Sequence, residues 1–151
     1  KNTVYMAIGV PGSGKSTWAA QQPDAFEINR DNLRWQVTGK LGWSGDNAYK
    51  FSSKVETDVT NIAESHLLAV AKMGEDVIIS DTNLNPKFRQ KLIATCKGLG
   101  YTVEIKEFPI SFQEACERDK ERGIFSVGEA VLKRQWEQWV KYNEEKQEGS
   151  W

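Results

Sequence analysis

The sequence feature that most constrains the fold is a glycine-rich segment at residues 9–16, which reads Gly-Val-Pro-Gly-Ser-Gly-Lys-Ser. Residues 3–9 are apolar and favour a buried strand, whereas residues 15–22 favour a short helix. Glycines let the backbone between a strand and a helix turn so tightly that its N–H groups converge on one point. The segment therefore predicts an α/β fold in which this loop surrounds an anion.

The spacing of Gly, four residues, then Gly-Lys-Ser is typical of the phosphate-binding loop (P-loop) of nucleoside triphosphatases and kinases. Lys15 is expected to reach the β- and γ-phosphates, and Ser16 to ligate Mg²⁺ directly. The following helix adds the positive end of its dipole. We therefore expect ATP or another nucleoside triphosphate as the phosphate donor, with Mg²⁺. The loop residues expected to contact the donor are Gly12, Ser13, Gly14, Lys15, Ser16 and Thr17.

Strand-like and helical segments alternate along the rest of the chain. The predicted strands are residues 3–9, 25–29, 76–80 and 101–108. Helices are predicted at residues 15–22, from 30, from about 48, from 86, at 111–121 and at 131–145. This alternation predicts a small parallel sheet of about four strands with helices on both faces. Because 151 residues is the usual size of one domain, we expect residues 1–151 to form a single P-loop kinase domain.

The composition excludes some classes of protein. The formal net charge is −1, so an anionic substrate must be held by a local basic cluster rather than by an overall positive field. The sequence shows neither a secretory signal nor an apolar run of membrane length. Cys96 and Cys116 lie in no metal-binding or redox spacing and are expected to be reduced core residues. We expect a cytoplasmic protein with no membrane partner, and no protein partner is evident.

Asp31 and Arg34 follow the second predicted strand, at the sheet edge where α/β proteins bind ligands. A carboxylate beside the P-loop can accept a proton from an attacking hydroxyl, which would make Asp31 a general base. Arg34 lies about one helical turn later on the same face, and its planar guanidinium suits a phosphate group. The alternative interpretation is a helix-capping aspartate and a surface arginine.

Asp81 directly follows the apolar strand at residues 76–80. This placement is typical of a Walker B aspartate, which would put Asp81 in the outer coordination shell of the metal, with Asp31 as a second candidate for that shell. Asp81 could equally orient Arg34 through a charge pair, or cap the next helix.

Arg118 and Arg122 share one face near the end of the predicted helix at residues 111–121. Phe112 and Cys116 mark the buried face of that helix, so both arginines project away from the core. Paired arginines before a glycine-containing loop resemble a lid that closes over a triphosphate and neutralises charge on the transferred group. The alternative is a solvated basic face.

The single histidine and two tryptophans have other interpretations. His66 falls on the predicted apolar stripe of the long helix, which indicates a core or boundary residue and argues against a histidine general base. The stripe comprises Phe51, Val55, Val59, Ile62, His66 and Val70. Trp35 and Trp43 lie near the expected acceptor side, where an indole could stack on a nucleobase.

These motifs, in this order, resemble the kinase domain of the phage polynucleotide 5′-kinase/3′-phosphatase family. The resemblance rests on residues 11–18 (Pro-Gly-Ser-Gly-Lys-Ser-Thr-Trp), 28–31 (Ile-Asn-Arg-Asp) and 78–86 (Ile-Ile-Ser-Asp-Thr-Asn-Leu-Asn-Pro). Residues 118–123 and 131–132 also fit, so the likeness spans nearly the whole chain. It implies transfer of the γ-phosphate of ATP to the 5′-hydroxyl end of DNA or RNA, in the repair of nucleic-acid ends.

The resemblance also implies a role for each residue named above. Lys15 and Ser16 would bind the donor phosphates and the metal, and Arg122 would contact those phosphates from the lid, with Arg118 beside it. On the acceptor side, the resemblance makes Asp31 the general base. Arg34 would then hold the phosphate next to the terminal nucleoside, and Asp81 would support this site. A phage enzyme of this kind would act in the host cytoplasm.

Two departures from the family limit what carries over. The Asp-x-Asp-Gly-Thr motif of the family's phosphatase domain does not occur here, so 3′-phosphatase activity is not expected from this chain. Residues 37–48 also diverge, and they could line the entrance for the acceptor.

Two other functions are compatible with a P-loop followed by an aspartate and an arginine. One is a kinase for small molecules, or a zeta-toxin-like kinase acting on a nucleotide sugar. The other is a nucleotide-dependent switch or ATP-binding module, although a switch does not need the pairing of a base with an arginine.

Overall fold

Four parallel strands form one sheet in the order β2-β3-β1-β4 within residues 2–147, which the computed structural model describes. The strands are β1 (Thr3–Ile8), β2 (Ala25–Ile28), β3 (Asp76–Ile79) and β4 (Thr102–Glu107). The helices are α1 (Lys15–Ala20), α2 (Arg30–Thr38), α3 (Ser53–Met73), α4 (Pro86–Gly98), α5 (Phe112–Lys120) and α6 (Glu129–Gln147). A short 3₁₀ turn, Gly123–Phe125, connects α5 to α6. The predicted element order is therefore confirmed.

Local sequence signals explain where several helices begin and end. Four helices begin after a side chain that accepts a hydrogen bond from a backbone N–H three residues later, as N-caps do. These caps are Asn29, Ser52, Asn85 and Ser111. Both α2 and α3 end at a glycine with positive φ, which lacks the Cβ that would strain this conformation.

The two faces of the sheet are covered by different helices. Val4 and Met6 of β1 are fully buried in a core formed with residues of α3 and α4. On the opposite face, Trp18 of α1 packs edge-on against Tyr5, with 6.4 Å between the ring centroids. The sheet is thus covered on both sides, as the alternating pattern predicts.

The strand order brings three strand ends together. From β1 the chain crosses to β2 at one edge and returns through β3, whereas β4 pairs with the other side of β1. The carboxyl ends of β1, β2 and β3 therefore lie side by side near the point where the strand order reverses, which is where open α/β sheets bind ligands.

The structure corrects two expectations for the long helix. The helix begins at Ser53 rather than near residue 48, because Ser52 caps it, and Phe51 precedes it with 77% of its surface exposed. His66 is exposed rather than part of the core. The buried stripe instead continues from Val59 through Ala63 to Leu67, in steps of four residues, and this turns His66 outward.

The prediction that the cysteines are core residues is confirmed for Cys96, which is fully buried. Cys116 is half-buried and packs against a second cluster of buried residues. Both cysteines are free thiols. Along residues 2–147, no helix combines the length and the apolar character that crossing a membrane requires.

We expect the Leu67→Ala variant to lower the free energy of unfolding by about 2–5 kcal/mol, because Leu67 is fully buried in the core. Leu68→Ala is the matched control, since 44% of Leu68 is exposed, and it should change stability by no more than about 0.5 kcal/mol. Urea unfolding of both variants measures the difference. Equal losses would contradict the assignment of the buried stripe.

Candidate active site

A cleft of about 550 Å³ lies at the carboxyl ends of β1, β2 and β3. It is lined by the P-loop, the start of α2, the residues after β3 and the segment that follows α5. The predicted site residues that line it are Gly12, Gly14, Lys15, Ser16, Thr17, Asp31, Arg34, Asp81, Arg118 and Arg122. Residues that are more than 100 positions apart in the sequence thus face one space.

The P-loop backbone adopts conformations that require glycine. Gly12 and Gly14 have φ angles of 78° and 105°, in the left-handed region that side chains disfavour. A Cβ at Gly9 would lie 2.6 Å from Oγ of Ser13 and 3.0 Å from Cβ of Phe108. A side chain at Gly9 would therefore push the loop away from β4.

Lys15 folds back onto the loop that carries it. Its buried amine donates hydrogen bonds to the carbonyl oxygens of Gly9 (3.0 Å) and Val10 (2.7 Å), and to the hydroxyl of Ser13 (3.3 Å). Burial, and then the nearby positive charge of Arg122, lower the pKa of Lys15 to about 7, although Asp81 and Asp31 partly offset this. An anion in the cleft would favour the charged form of Lys15.

Both arginines of the predicted lid, Arg118 and Arg122, lie against the P-loop. Nη1 of Arg118 donates a hydrogen bond of 3.0 Å to the carbonyl oxygen of Gly12, and Cδ of Arg122 lies 3.6 Å from where a Cβ at Gly12 would be. Nη1 of Arg122 is buried and has no hydrogen-bond partner within residues 2–147. Both arginines line the cleft, although 46% of the Arg118 side chain is exposed and its Nη2 also donates to Glu114 of the same helix (2.7 Å).

Asp119 organises the turn that follows Arg122, and the sequence did not indicate this. Its buried carboxylate accepts hydrogen bonds from the hydroxyl of Ser126 (2.7 Å) and the backbone N–H groups of Val127 and Gly128 (3.0 Å each). Burial would raise the pKa of Asp119, but these hydrogen bonds outweigh it and lower the pKa. Asp119 also lies 3.8 Å from Nη1 of Arg122, so it holds the turn and the arginine together.

Arg34 is fixed by two carboxylates. It donates to Oδ1 of Asp31 (2.7 Å) and, through Nε and Nη2, to both carboxylate oxygens of Glu56 (2.8 Å each). Its guanidinium also lies 5.5 Å from the ring centroid of Trp43 and 5.7 Å from that of Tyr49, within range of cation–π attraction. The geometry rules out a loose surface arginine.

Glu56 is the acidic residue of this site that the sequence did not reveal. Besides its bonds to Arg34, it accepts hydrogen bonds from the hydroxyl of Tyr49 (2.7 Å) and from Arg30 (3.1 Å). Burial alone would raise the pKa of Glu56, but the hydrogen bonds from Arg34 and Tyr49 lower it to about 2. Burial alone would lower the pKa of Arg34, but the hydrogen bonds to Glu56 and its negative charge outweigh burial and raise this pKa above its ordinary value.

Asp81 contacts the start of α2 rather than Arg34. Its Oδ1 accepts a hydrogen bond of 2.8 Å from the backbone N–H of Arg30, the first residue of α2. Burial raises the pKa of Asp81 to about 6, which this hydrogen bond and the charge of Arg30 only partly oppose. Asp81 therefore neither bonds directly to Arg34 nor caps the next helix, α4, which Asn85 caps instead, and it lies on the wall of the cleft.

The cleft has basic groups of the kind that bind the phosphates of a nucleoside triphosphate. Lys15, Arg118 and Arg122 place three basic groups around Gly12, and the buried Nη1 of Arg122 lacks an acceptor that a phosphate oxygen would supply. Within the described part of the chain, no cluster of three or more His, Cys, Asp or Glu side chains could hold a metal ion. Beside nucleotides, Mg²⁺ is commonly held by few protein ligands together with phosphate oxygens and water, and Ser16 offers a hydroxyl on the cleft wall for this role.

Residues 4–145 match AAA_33, a family described as an AAA domain. The chain belongs to this family. It is also 32% identical, over 149 residues, to the "Putative bifunctional polynucleotide kinase/RNA ligase" of Autographa californica nuclear polyhedrosis virus, covering 93% of this chain and 21% of the viral protein. The resemblance to polynucleotide kinases is thereby confirmed.

Two solved structures share the fold. A chain of the "Pnkp1/Rnl/Hen1 RNA repair complex" superposes with a TM-score of 0.79 at 24% identity, covering 96% of this chain and 46% of that one. A second structure of the Pnkp1/Rnl/Hen1 complex gives 0.65 at 26% identity, covering 78% and 38%. The P-loop kinase fold is therefore confirmed. The chain spans about a fifth of the viral relative and less than half of these solved chains.

The structure separates the two tryptophans. Trp43 lines the cleft beside Arg34, whereas Trp35 is 48% exposed and is not among the residues that line it. Through Trp43, the divergent stretch at residues 37–48 does reach the site.

We expect Glu56→Gln to lower the free energy of unfolding at neutral pH by about 1.5–3 kcal/mol, because it removes a charged partner of Arg34. A carboxylate with a depressed pKa stabilises the fold above its ordinary value of 4.5 and loses that contribution as the pH falls towards 2. As the pH falls below 4.5, the free energy of unfolding should therefore decrease less steeply for the variant than for the wild type. Urea unfolding at several pH values tests this, with the exposed residue Glu75→Gln as control. Parallel pH profiles for the wild type and Glu56→Gln would contradict the assignment.

Proposed function

We propose that this chain is an ATP-dependent polynucleotide 5′-hydroxyl kinase, which transfers the γ-phosphate of ATP to the 5′-hydroxyl end of DNA or RNA. The observation that carries the proposal is that Asp31 and Arg34, whose guanidinium Glu56 holds, line the same cleft as a basic P-loop. The identity to the viral polynucleotide kinase/RNA ligase supports the same function.

The donor would be bound by the P-loop and the lid. The backbone and side chains of residues 12–17 would hold the phosphates, with Lys15 on the β- and γ-phosphates and Ser16 on Mg²⁺. Bound Mg²⁺ would neutralise charge on the phosphates, and Asp31 and Asp81 are the candidates for its outer coordination shell. From the lid, Arg122 would donate to the transferred phosphoryl group through Nη1, which makes no hydrogen bond to the described residues, with Arg118 beside it.

The acceptor would be bound at the Arg34 side of the cleft. A guanidinium has five N–H donors. Three donate to Asp31 and Glu56, so two remain for the phosphate that follows the terminal nucleoside of the acceptor. Because Glu56 fixes the plane of the guanidinium, these two donors would be oriented before the substrate arrives. Asp81 would support this side through its hold on the start of α2.

Asp31 would act as the general base. Its side chain is 48% exposed and faces the cleft, and Arg34 holds its Oδ1. In the reaction, the 5′-hydroxyl oxygen would attack the γ-phosphorus in line with the departing ADP, while its proton moves to the Asp31 carboxylate. Such an enzyme would act in the repair of nucleic-acid ends, in the cytoplasm.

The direct test is an assay with γ-labelled ATP, Mg²⁺ and an oligonucleotide that carries a 5′-hydroxyl. We expect label on the oligonucleotide with the wild type and none with Lys15→Ala, because Lys15 would bind the transferred phosphate. A parallel panel of sugars, nucleosides and nucleoside 3′-phosphates separates the acceptor classes. The proposal predicts that an acceptor with a 3′-phosphate is preferred, whereas transfer to a sugar alone would overturn it.

The role of Asp31 can be tested by Asp31→Asn. We expect phosphorylation to fall by about 10²- to 10⁴-fold, the usual contribution of a general base, while ATP binding changes little. Asp46→Asn, in the exposed loop after α2, is the control and should keep normal activity. Near-normal phosphorylation by Asp31→Asn would show that another group accepts the proton.

A further inference from the structure

The loop between α2 and α3 reaches across the cleft and contacts the lid. The backbone N–H of Trp43 donates a hydrogen bond of 2.6 Å to the carbonyl oxygen of Ile124, and that of Ser44 donates a second one of 3.3 Å. Ile124 lies in the 3₁₀ turn that directly follows Arg122. We call residues 42–44 the strap, because they connect the wall that carries Arg34 to the lid.

The contact is close enough to require glycine at position 42. A Cβ at Gly42 would lie 2.5 Å from the carbonyl oxygen of Ile124 and 3.0 Å from its carbonyl carbon. Backbone atoms cannot swing away as the end of a side chain can, so the lid would have to move. At Gly45, in the same loop and also with positive φ, a Cβ would lie at an ordinary 3.6 Å from Cγ2 of Ile124. The close approach is therefore specific to Gly42.

On the lid side, the strap holds the same turn that positions Arg122. The N–H of Phe125 donates to the carbonyl oxygen of Arg122 (3.1 Å), and Asp119 binds Ser126 and the two residues that follow it. Ile124 thus lies between two anchored points. A shift of Arg122 towards donor phosphates would move the carbonyl that the strap binds.

On the other side, the strap contacts Arg34, which together with the Glu56 carboxylate that fixes it we call the arginine clamp. The ring of Trp43 lies over Arg34 and packs edge-on against Tyr49, with 5.9 Å between the centroids. The N–H of Tyr49 donates to the carbonyl oxygen of Gly42 (3.0 Å), and its hydroxyl donates to Glu56. One short segment therefore contacts both the lid and the groups that fix Arg34.

We propose that Gly42 and Trp43 are positioning residues that couple the two halves of the site, so that donor and acceptor each bind more tightly when the other is present. This inference rests on the proposed kinase function and adds that the lid and the clamp are one mechanical unit. When Arg122 settles on donor phosphates, the lid turn carries the strap with it, so the Trp43 ring shifts over the guanidinium of Arg34, which Glu56 holds in place, and completes the side of the cleft that binds the acceptor. Linkage requires the effect to be reciprocal.

Equilibrium binding of a non-hydrolysable ATP analogue with Mg²⁺ tests the coupling. The dissociation constant of the analogue is measured with and without a saturating 5′-hydroxyl oligonucleotide, and the ratio of the two values is the coupling factor. We expect a factor of about 5 or more for the wild type, the lower end of typical allosteric coupling. Gly42→Ala should bring it close to 1 and raise the KM for the oligonucleotide more than it lowers kcat. Gly45→Ala introduces the same strain of positive φ without the clash and should keep the wild-type factor.

A second variant covers the possibility that Gly42→Ala does not fold, which thermal unfolding would reveal. Trp43→Leu keeps the backbone N–H that binds the lid but removes the ring over Arg34, so its coupling factor should also approach 1. Wild-type coupling factors in both Gly42→Ala and Trp43→Leu, or a factor of 1 in an active wild type, would overturn the coupling while leaving the kinase function intact. A wild type that never labels the oligonucleotide would overturn both.

Discussion

The parallel alignment of β1, β2 and β3 brings several charged side chains into one partly buried cleft, and the rest of the site follows from how those charges are satisfied. Charge that is removed from water is costly unless it is paired or hydrogen-bonded. The cations come from the P-loop, from α2 and from the lid. Asp31 and Asp81 line the cleft with them, whereas Glu56 binds Arg34 and Asp119 binds the lid turn. The arrangement of these pairs differs between the two sides of the cleft.

On the acceptor side the charges are satisfied before any ligand arrives. Arg34 has two carboxylate partners and two aromatic neighbours, and the pKa of Glu56 falls to about 2 because its negative charge is so well paired. On the donor side the charges are less well paired. The amine of Lys15 binds only uncharged oxygens of its own loop, and burial lowers its pKa to about 7, while Nη1 of Arg122 has no hydrogen-bond partner among the described residues. The acceptor wall is thus preorganised, whereas the P-loop and lid still lack the anion that would complete them.

The parts of this site that the sequence could predict are those that local rules govern. The P-loop spacing located Lys15 and Ser16, and the ends of apolar strands located Asp31 and Asp81. The arginine pair of the lid followed from helical periodicity. Periodicity was misleading for His66. The predicted stripe ran from Val59 through Ile62 to His66, whereas the buried stripe runs from Val59 through Ala63 to Leu67 and leaves His66 exposed. The sequence could not indicate Glu56, because it lies 22 residues after Arg34 on a different helix, and helical periodicity does not reveal contacts between two helices.

The sequence by itself thus determined the α/β fold, the phosphate-binding loop and the residues at the strand ends, because neighbours along the chain set strands, caps and tight turns. Only the tertiary structure decided which charges pair across the cleft, how Asp119 holds the lid turn, and that Gly42 touches Ile124. Those contacts depend on distances between segments that are far apart in the chain, and such distances exist only once the sheet order and helix packing are in place.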